Sequence, residues 1–159
     1  QEKIRVERPL LLGVGGVGSS FGMALARAGV EHLHLVDMDT VARSNLNRQV
    51  LFGVRDIGER KVFAAKRTLE EIHCWRTSVG ADDLDAVRNW GRMVELARDS
   101  TVIFNGVDYG SFFDYAAASL ARRLGLRYVS AITHSFVFQC DAFDHHADGP
   151  CWACCNAPS

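Results

Sequence analysis

Residues 13–18 read Gly-Val-Gly-Gly-Val-Gly at the end of an apolar run, residues 9–14, and lead into an apolar-rich segment, residues 17–28, that stops at Gly29. So many glycines at one turn permit a sharp reversal with the backbone close to a neighbour. The predicted order is therefore strand, turn and helix. The same arrangement leaves the first N–H groups of the helix facing outward, where they can meet a phosphate. Such a unit buries its apolar faces only within a layered sheet, so the rest of the chain must supply further strands and helices.

It does so in alternation. Residues 32–36 predict a second strand ending at Asp37, and residues 39–58 a long loop rich in turn formers. Residues 59–72 place Val62, Ala65, Leu69 and Ile72 at helical spacing among charged residues, which predicts an amphipathic helix. Residues 75–79 predict a third strand, 87–97 a helix, 101–105 a strand, 112–124 a helix closed by Gly125, and 127–132 a strand. Residues 136–143 alternate apolar and polar side chains with no helix after them, which predicts an added antiparallel edge strand. The fold class expected is α/β: a doubly wound, mostly parallel sheet with an antiparallel C-terminal edge strand and ligands at the carboxyl ends of its strands.

Length and composition suit one globular domain, with 159 residues, 48% of them hydrophobic and only 3 prolines. Eighteen Lys and Arg against 19 Asp and Glu leave a formal net charge of -1, so no global attraction to nucleic acid or to an anionic membrane is expected. The glycines, Ser19, Ser20 and Arg27 interrupt residues 10–30 well short of the roughly 20 apolar residues that span a membrane. Five cysteines, three of them among the last nine residues, suit a metal site in a cytosolic protein better than a secreted disulfide framework. The expected location is cytoplasmic. Cys74 and Cys140 are expected to be small core residues, and His32, His34, His73 and His134 to be structural.

The glycine turn and Asp37, placed to accept hydrogen bonds from ribose hydroxyls, would equally suit an NAD-dependent oxidoreductase. The segment after Asp37 discriminates. Asp37-Met38-Asp39-Thr40-Val41, Ser44-Asn45-Leu46-Asn47-Arg48-Gln49 and Asp56-Ile57-Gly58 with Lys61 set two cations among amide side chains after the ribose carboxylate. Arg48 can bridge two phosphate oxygens while Lys61 acts as a point charge, a pattern suited to a triphosphate whose pyrophosphate leaves.

These motifs, with Asp108 after a strand and Cys151-Trp152-Ala153-Cys154, make the chain resemble the ThiF/MoeB and ubiquitin-like-modifier-activating enzymes over nearly its whole length. The Glu2-Lys3-Ile4-Arg5 opening and the C-W-A-C ending look most like the branch serving the ubiquitin-fold modifier of ufmylation. The resemblance implies a Rossmann-like fold and adenylation of the C-terminal carboxylate of a ubiquitin-like modifier or sulfur-carrier protein. It implies ATP bound by Gly13, Gly15, Gly16, Gly18, Asp37, Asn45, Arg48, Lys61 and Asp108. Arg48, Lys61 and Asp108 would be the catalytic groups, with Asp108 positioning Mg²⁺, and the protein would be a homodimer.

Cys151 and Cys154 would be half of a Zn²⁺ site that relatives complete with a second C-x-x-C downstream; His145 and His146 are the local alternative. The chain is accordingly expected to be an ATP-binding adenylation domain, residues 1–159, incomplete at both ends, with a partner-reaching arginine before it and a thioester cysteine after it. One departure stands out. The family usually follows the magnesium-site aspartate with Asn and, a few residues on, Arg, where this chain has Tyr109 and then Phe112 or Phe113. That departure motivates an alternative, a weakly catalytic or inactive subunit used for dimerisation or modifier docking.

Overall fold

In β1 (Pro9–Leu12) every residue is buried, because the strand is covered on both sides: Leu10 and Leu12 enter one apolar layer and Leu11 the other. This computed structural model describes residues 2–72, 77–134, 136–145 and 149–156. After a short helix α1 (Glu2–Arg5), β1 leads through the glycine turn into α2 (Gly16–Ala28) and β2 (His32–Asp37). Two single 3₁₀ turns, Arg43–Asn45 and Val54–Asp56, lie in the loop before α3 (Lys61–Ile72). The remaining order is β3 (Ser78–Asp83), α4 (Trp90–Arg98), β4 (Val102–Asn105), α5 (Ser111–Leu124), β5 (Arg127–His134), β6 (Val137–Phe143) and α6 (Trp152–Asn156).

The sheet order is β3-β2-β1-β4-β5-β6, parallel throughout except for β6, which runs antiparallel to β5. Val62, Ala65 and Leu69 of α3 and Ala26 of α2 pack with Leu11, Leu33, Leu35 and Val79 on one face. Met93 and Leu96 of α4 and Phe113, Ala117 and Ala121 of α5 pack with Leu10, Leu12, Ile103 and Tyr128 on the other. The doubly wound, Rossmann-like architecture and the antiparallel edge are as the sequence implies. Among the described residues no helix is long and apolar enough to cross a membrane.

Local details differ from expectation. β3 starts at Ser78 and pairs with β2 from His32↔Ser78 to Asp37↔Asp83, three or more residues later than the apolar signal suggests. Trp75 and Arg76, with His73 and Cys74, lie outside the described residues. α4 begins at Trp90 because the Asp85 carboxylate accepts the Val87 and Arg88 N–H groups and holds residues 86–89 in a turn. Cys140 is not a core residue: β6 is an edge strand with little over its outer positions, and the thiol is exposed. His34 sits at the β2–β3 seam with Nε2 2.6 Å from Asp82 Oδ2.

Candidate nucleotide site

The chain reverses its direction of winding between β1 and β4, so the loops leaving these neighbouring strands diverge and open a crevice at their carboxyl ends. There the glycine turn and the β4–α5 segment touch. The Gly106 N–H donates to Leu12 O at 2.9 Å and the Gly13 N–H to Val36 O at 2.8 Å. Gly13 has φ +78°, and a Cβ on it would lie 3.0 Å from Gly106 O, so glycine is needed for both conformation and space. A Cβ on Gly18 would lie 1.9 Å from Gly13 O, which makes this glycine the contact that seats α2 on the turn.

The crevice is a cavity of about 920 Å³ lined by Gly13, Gly15, Gly16, Asp37, Arg48, Lys61 and Asp108 among others. Seven of the nine expected nucleotide residues therefore border one continuous space. Gly18 and Asn45 do not line it. Gly18 is buried against the turn, and Asn45 Oδ1 accepts the Ala42 N–H at 3.0 Å, closing its own 3₁₀ turn.

Asp37 is fixed by the fold. Its Oδ2 accepts the Val14 N–H at 2.7 Å and its Oδ1 the Asp39 N–H at 2.8 Å, which leaves one lone-pair direction on each oxygen for a ligand hydroxyl. Lys61 is only 5% exposed, and its Nζ donates to Asp39 Oδ2 at 2.8 Å. The loop between these residues is closed by a short antiparallel stem: Lys61 N–H to Asp39 O at 2.9 Å, Val41 N–H to Glu59 O at 2.8 Å, and a Thr40↔Arg60 bridge. Arg48 lies over Gly16, where a Cβ would meet its Cγ and Cδ at 3.6 Å, and its Nη1 donates to Ser44 O and Asn47 Oδ1.

The opposite wall rests on a buried network. Asn105 Nδ2 donates to Asp114 Oδ1 at 2.7 Å and to Tyr128 Oη at 3.1 Å, while Asn105 Oδ1 accepts the Val107 N–H. Burial raises the Asp114 carboxyl above the ordinary aspartate range; the Asn105 hydrogen bond opposes this and the nearby Asp108 charge adds to it. Burial likewise pushes the Tyr128 hydroxyl up, so it stays protonated. Above this network Asp108 reaches the cavity, and Tyr109 is half exposed.

Sequence reasoning did not single out Asp39 as the partner of Lys61, Gln49 as a cavity residue, or Asp114 as a second carboxylate near Asp108. Gln49 is 3% exposed, and its Oε1 has no hydrogen-bond partner among the described residues. Its place in the Asn45–Gln49 motif was the signal available.

Hard oxygen donors at Asp108, with Asp114 behind it, fit a magnesium ion carried in with a triphosphate. The cysteine pair is a different case. Cys151 Sγ and Cys154 Sγ lie 3.5 Å apart, and hydrogen bonding, led by the Cys154 backbone N–H, holds the Cys151 thiol down at about 7. Two sulfurs are half of a tetrahedral zinc set, and among the described residues no three His, Cys, Asp or Glu side chains gather to hold a metal. His145 stacks on Phe143 instead, with its Nε2 buried and unpartnered among the described residues; His146 lies outside them.

The chain belongs to the ThiF family, which it matches over residues 1–159. It is 33% identical over 160 residues to the molybdopterin-synthase adenylyltransferase of Escherichia coli, covering 97% of this chain and 60% of that protein. It is 45% identical over 108 residues to the enzyme of the same name from Haemophilus influenzae, covering 68% of this chain and 43% of that one. The chain thus spans only part of the length of these relatives. Among solved structures, PaaA superposes with a TM-score of 0.85 at 26% identity, over 95% of this chain and 46% of PaaA. E. coli MccB in complex with ATP shares the fold with a TM-score of 0.84 at 22% identity, over 96% of this chain and 45% of MccB. The expected kinship with the ufmylation branch is not shown by these matches.

Proposed function

We propose that the chain is the nucleotide-binding part of an enzyme that uses ATP to adenylate a carboxylate on a sulfur-carrier protein, a ubiquitin-like modifier or a peptide. The observation that carries this reading is the convergence of the glycine turn, Asp37, Arg48, buried Lys61 and Asp108, from separate segments of the chain, on one cavity at the β1–β4 switch. The adenylyltransferase names of relatives that match most of this chain support the reaction class.

The α2 N–H groups and Gly16 receive the phosphates, and Asp37 accepts from the ribose. Arg48 and Lys61 neutralise the β- and γ-phosphates. A carboxylate oxygen of the substrate attacks the α-phosphorus in line; the bond from that phosphorus to the bridging oxygen breaks, and pyrophosphate departs with the electron pair. No proton is transferred in this step, so the protein's task is orientation and charge stabilisation. Asp108 would hold a magnesium ion, which would shield the charge that develops on the phosphates. Zinc enters no step. A homodimer and a modifier docked at the open sheet end belong to the same proposal and rest on the family resemblance alone.

The test is ATP–pyrophosphate exchange by the full-length protein, offered a panel of sulfur carriers, ubiquitin-like modifiers and short peptides. Exchange with one class names the substrate; no exchange with any, together with no ATP binding, overturns the proposal. One observation favours a second reading, a weak or inactive nucleotide-binding subunit. Where the family pattern supplies a cation after the magnesium-site aspartate, this chain puts exposed Phe112, buried Phe113 and the Asp114 carboxylate. ATP binding without exchange would favour it.

A further inference from the structure

We infer that Asp39 is the positioning residue for Lys61: its carboxylate holds the buried ammonium at the phosphate end of the cavity until nucleotide arrives, and then shares it with the phosphates. The inference rests on the proposed nucleotide site and adds to it a residue that motif spacing alone leaves without a role.

Three observations meet at this pair. Lys61 Nζ is 2.8 Å from Asp39 Oδ2, and the Lys61 side chain is 7% exposed against 57% for Asp39. The ammonium is therefore the desolvated partner and the carboxylate the solvated one. A buried ammonium without a counterion is strongly disfavoured, so an opposite charge must accompany Lys61 whenever phosphate is absent. Second, the same two residues are clamped through their backbones, Lys61 N–H to Asp39 O at 2.9 Å, which keeps the two side chains rooted side by side. Third, among the described residues Asp39 is the carboxylate that pairs with Lys61. Asp37, the nearest in sequence on the same wall, accepts the Val14 and Asp39 N–H groups, and Asp85, on another part of the wall, accepts the Val87 and Arg88 N–H groups.

An ammonium has three N–H donors. Asp39 uses one, and both residues line the cavity, so the other two are available to a triphosphate without breaking the pair. Asp39 thus acts on the nucleotide in two opposing ways: it repels the phosphates directly through its charge, and it presents Lys61 to them. Because its carboxylate is solvated and paired, the repulsion is screened and the presentation dominates.

The two effects separate in a double-mutant cycle on ATP affinity, measured by calorimetry with magnesium ATP and the full-length protein. Asp39→Asn is expected to weaken ATP binding about tenfold when Lys61 is present, and to leave it unchanged or tighter in the Lys61→Ala background, where only the repulsion remains to be lost. Asp39→Glu should retain most of the wild-type affinity. Thermal unfolding of each variant without nucleotide checks that the fold persists, and Lys61→Met replaces Lys61→Ala if the latter does not fold. Equal weakening in both backgrounds overturns the inference, since Asp39 would then act independently of Lys61. So does an Asp39→Asn variant that binds as well as or better than wild type. A wild-type protein that binds no ATP overturns the nucleotide site itself, and the inference with it.

Discussion

The two walls of the cavity are built on different plans. On the β1–β2 side each functional group is held by the backbone of a neighbouring segment: Asp37 by Val14 and Asp39, Lys61 by the loop stem, and the turn by Gly18. On the β4–α5 side the order lies underneath, in Asn105, Asp114 and Tyr128, while Asp108 and Tyr109 sit on a short stretch that reaches α5 through Gly110 at φ +93°. In the proposed reading the first wall presents a prearranged carboxylate to the ribose and a prearranged ammonium to the phosphates. In the second the Asp114 carboxyl is raised chiefly by burial, with a smaller contribution from the Asp108 charge. Electrostatic preorganisation favours binding only where the dipoles are already aimed, which makes the first wall the anchor of the site.

Breaking the anchor should have the largest effect. Gly18→Ala is expected to cost about 3 kcal/mol or more in thermal unfolding, because its Cβ would overlap a backbone oxygen that cannot move without unseating the turn. Lys61→Ala is expected to lose on the order of a hundredfold in ATP affinity, read by calorimetry, since a desolvated charge-assisted contact is removed. The second wall should respond more weakly. Tyr109→Asn, which restores the usual family residue, is expected to tighten ATP about threefold by adding one side-chain hydrogen bond, a net gain of roughly 0.7 kcal/mol.

The smallest effect concerns Asp114. Its carboxyl is raised in the folded state, so it contributes stability at low pH that is lost as pH rises through its folded value. Asp114→Asn should therefore be more stable than wild type at pH 7, by under about 1 kcal/mol after solvent screening. That advantage should vanish in acid, as unfolding curves at the two pH values will show. A loss of stability at pH 7 would mean that the carboxylate is needed beneath Asp108, and the second wall would then be as firmly built as the first.

The first wall was also the more legible in the sequence. An apolar run ending in glycine marked β1, an apolar-rich stretch stopping at Gly29 marked α2 and alternation marked β2, and the glycines and Asp37 announced their places because their chemistry is local. Asp39 stood in the Asp37-Met38-Asp39-Thr40-Val41 motif with no role of its own, because its pairing with Lys61 spans 22 positions. β3 was misplaced because Ser-Val-Gly-Ala-Asp-Asp, an edge strand, lacks the apolar run that marks a central one. Asn45 carried a motif but spends its carbonyl on its own turn. Cys140 looked apolar by its neighbours, though an edge strand with an open face leaves it in water.

The stem that joins residues 39–41 to residues 58–61 divides the cavity loop into a fixed base and a closed tip. Loop-closure entropy grows only as the logarithm of length once the ends are tied. Length is therefore limited here by packing rather than by entropy: Leu51 and Phe52 are buried with Val62 and Leu69, and buried Asp56 accepts from the Gly53 N–H and from Arg67 of α3. The loop is thus held at its tip as well as at its base, and Arg48 and Gln49 are strung between two fixed points.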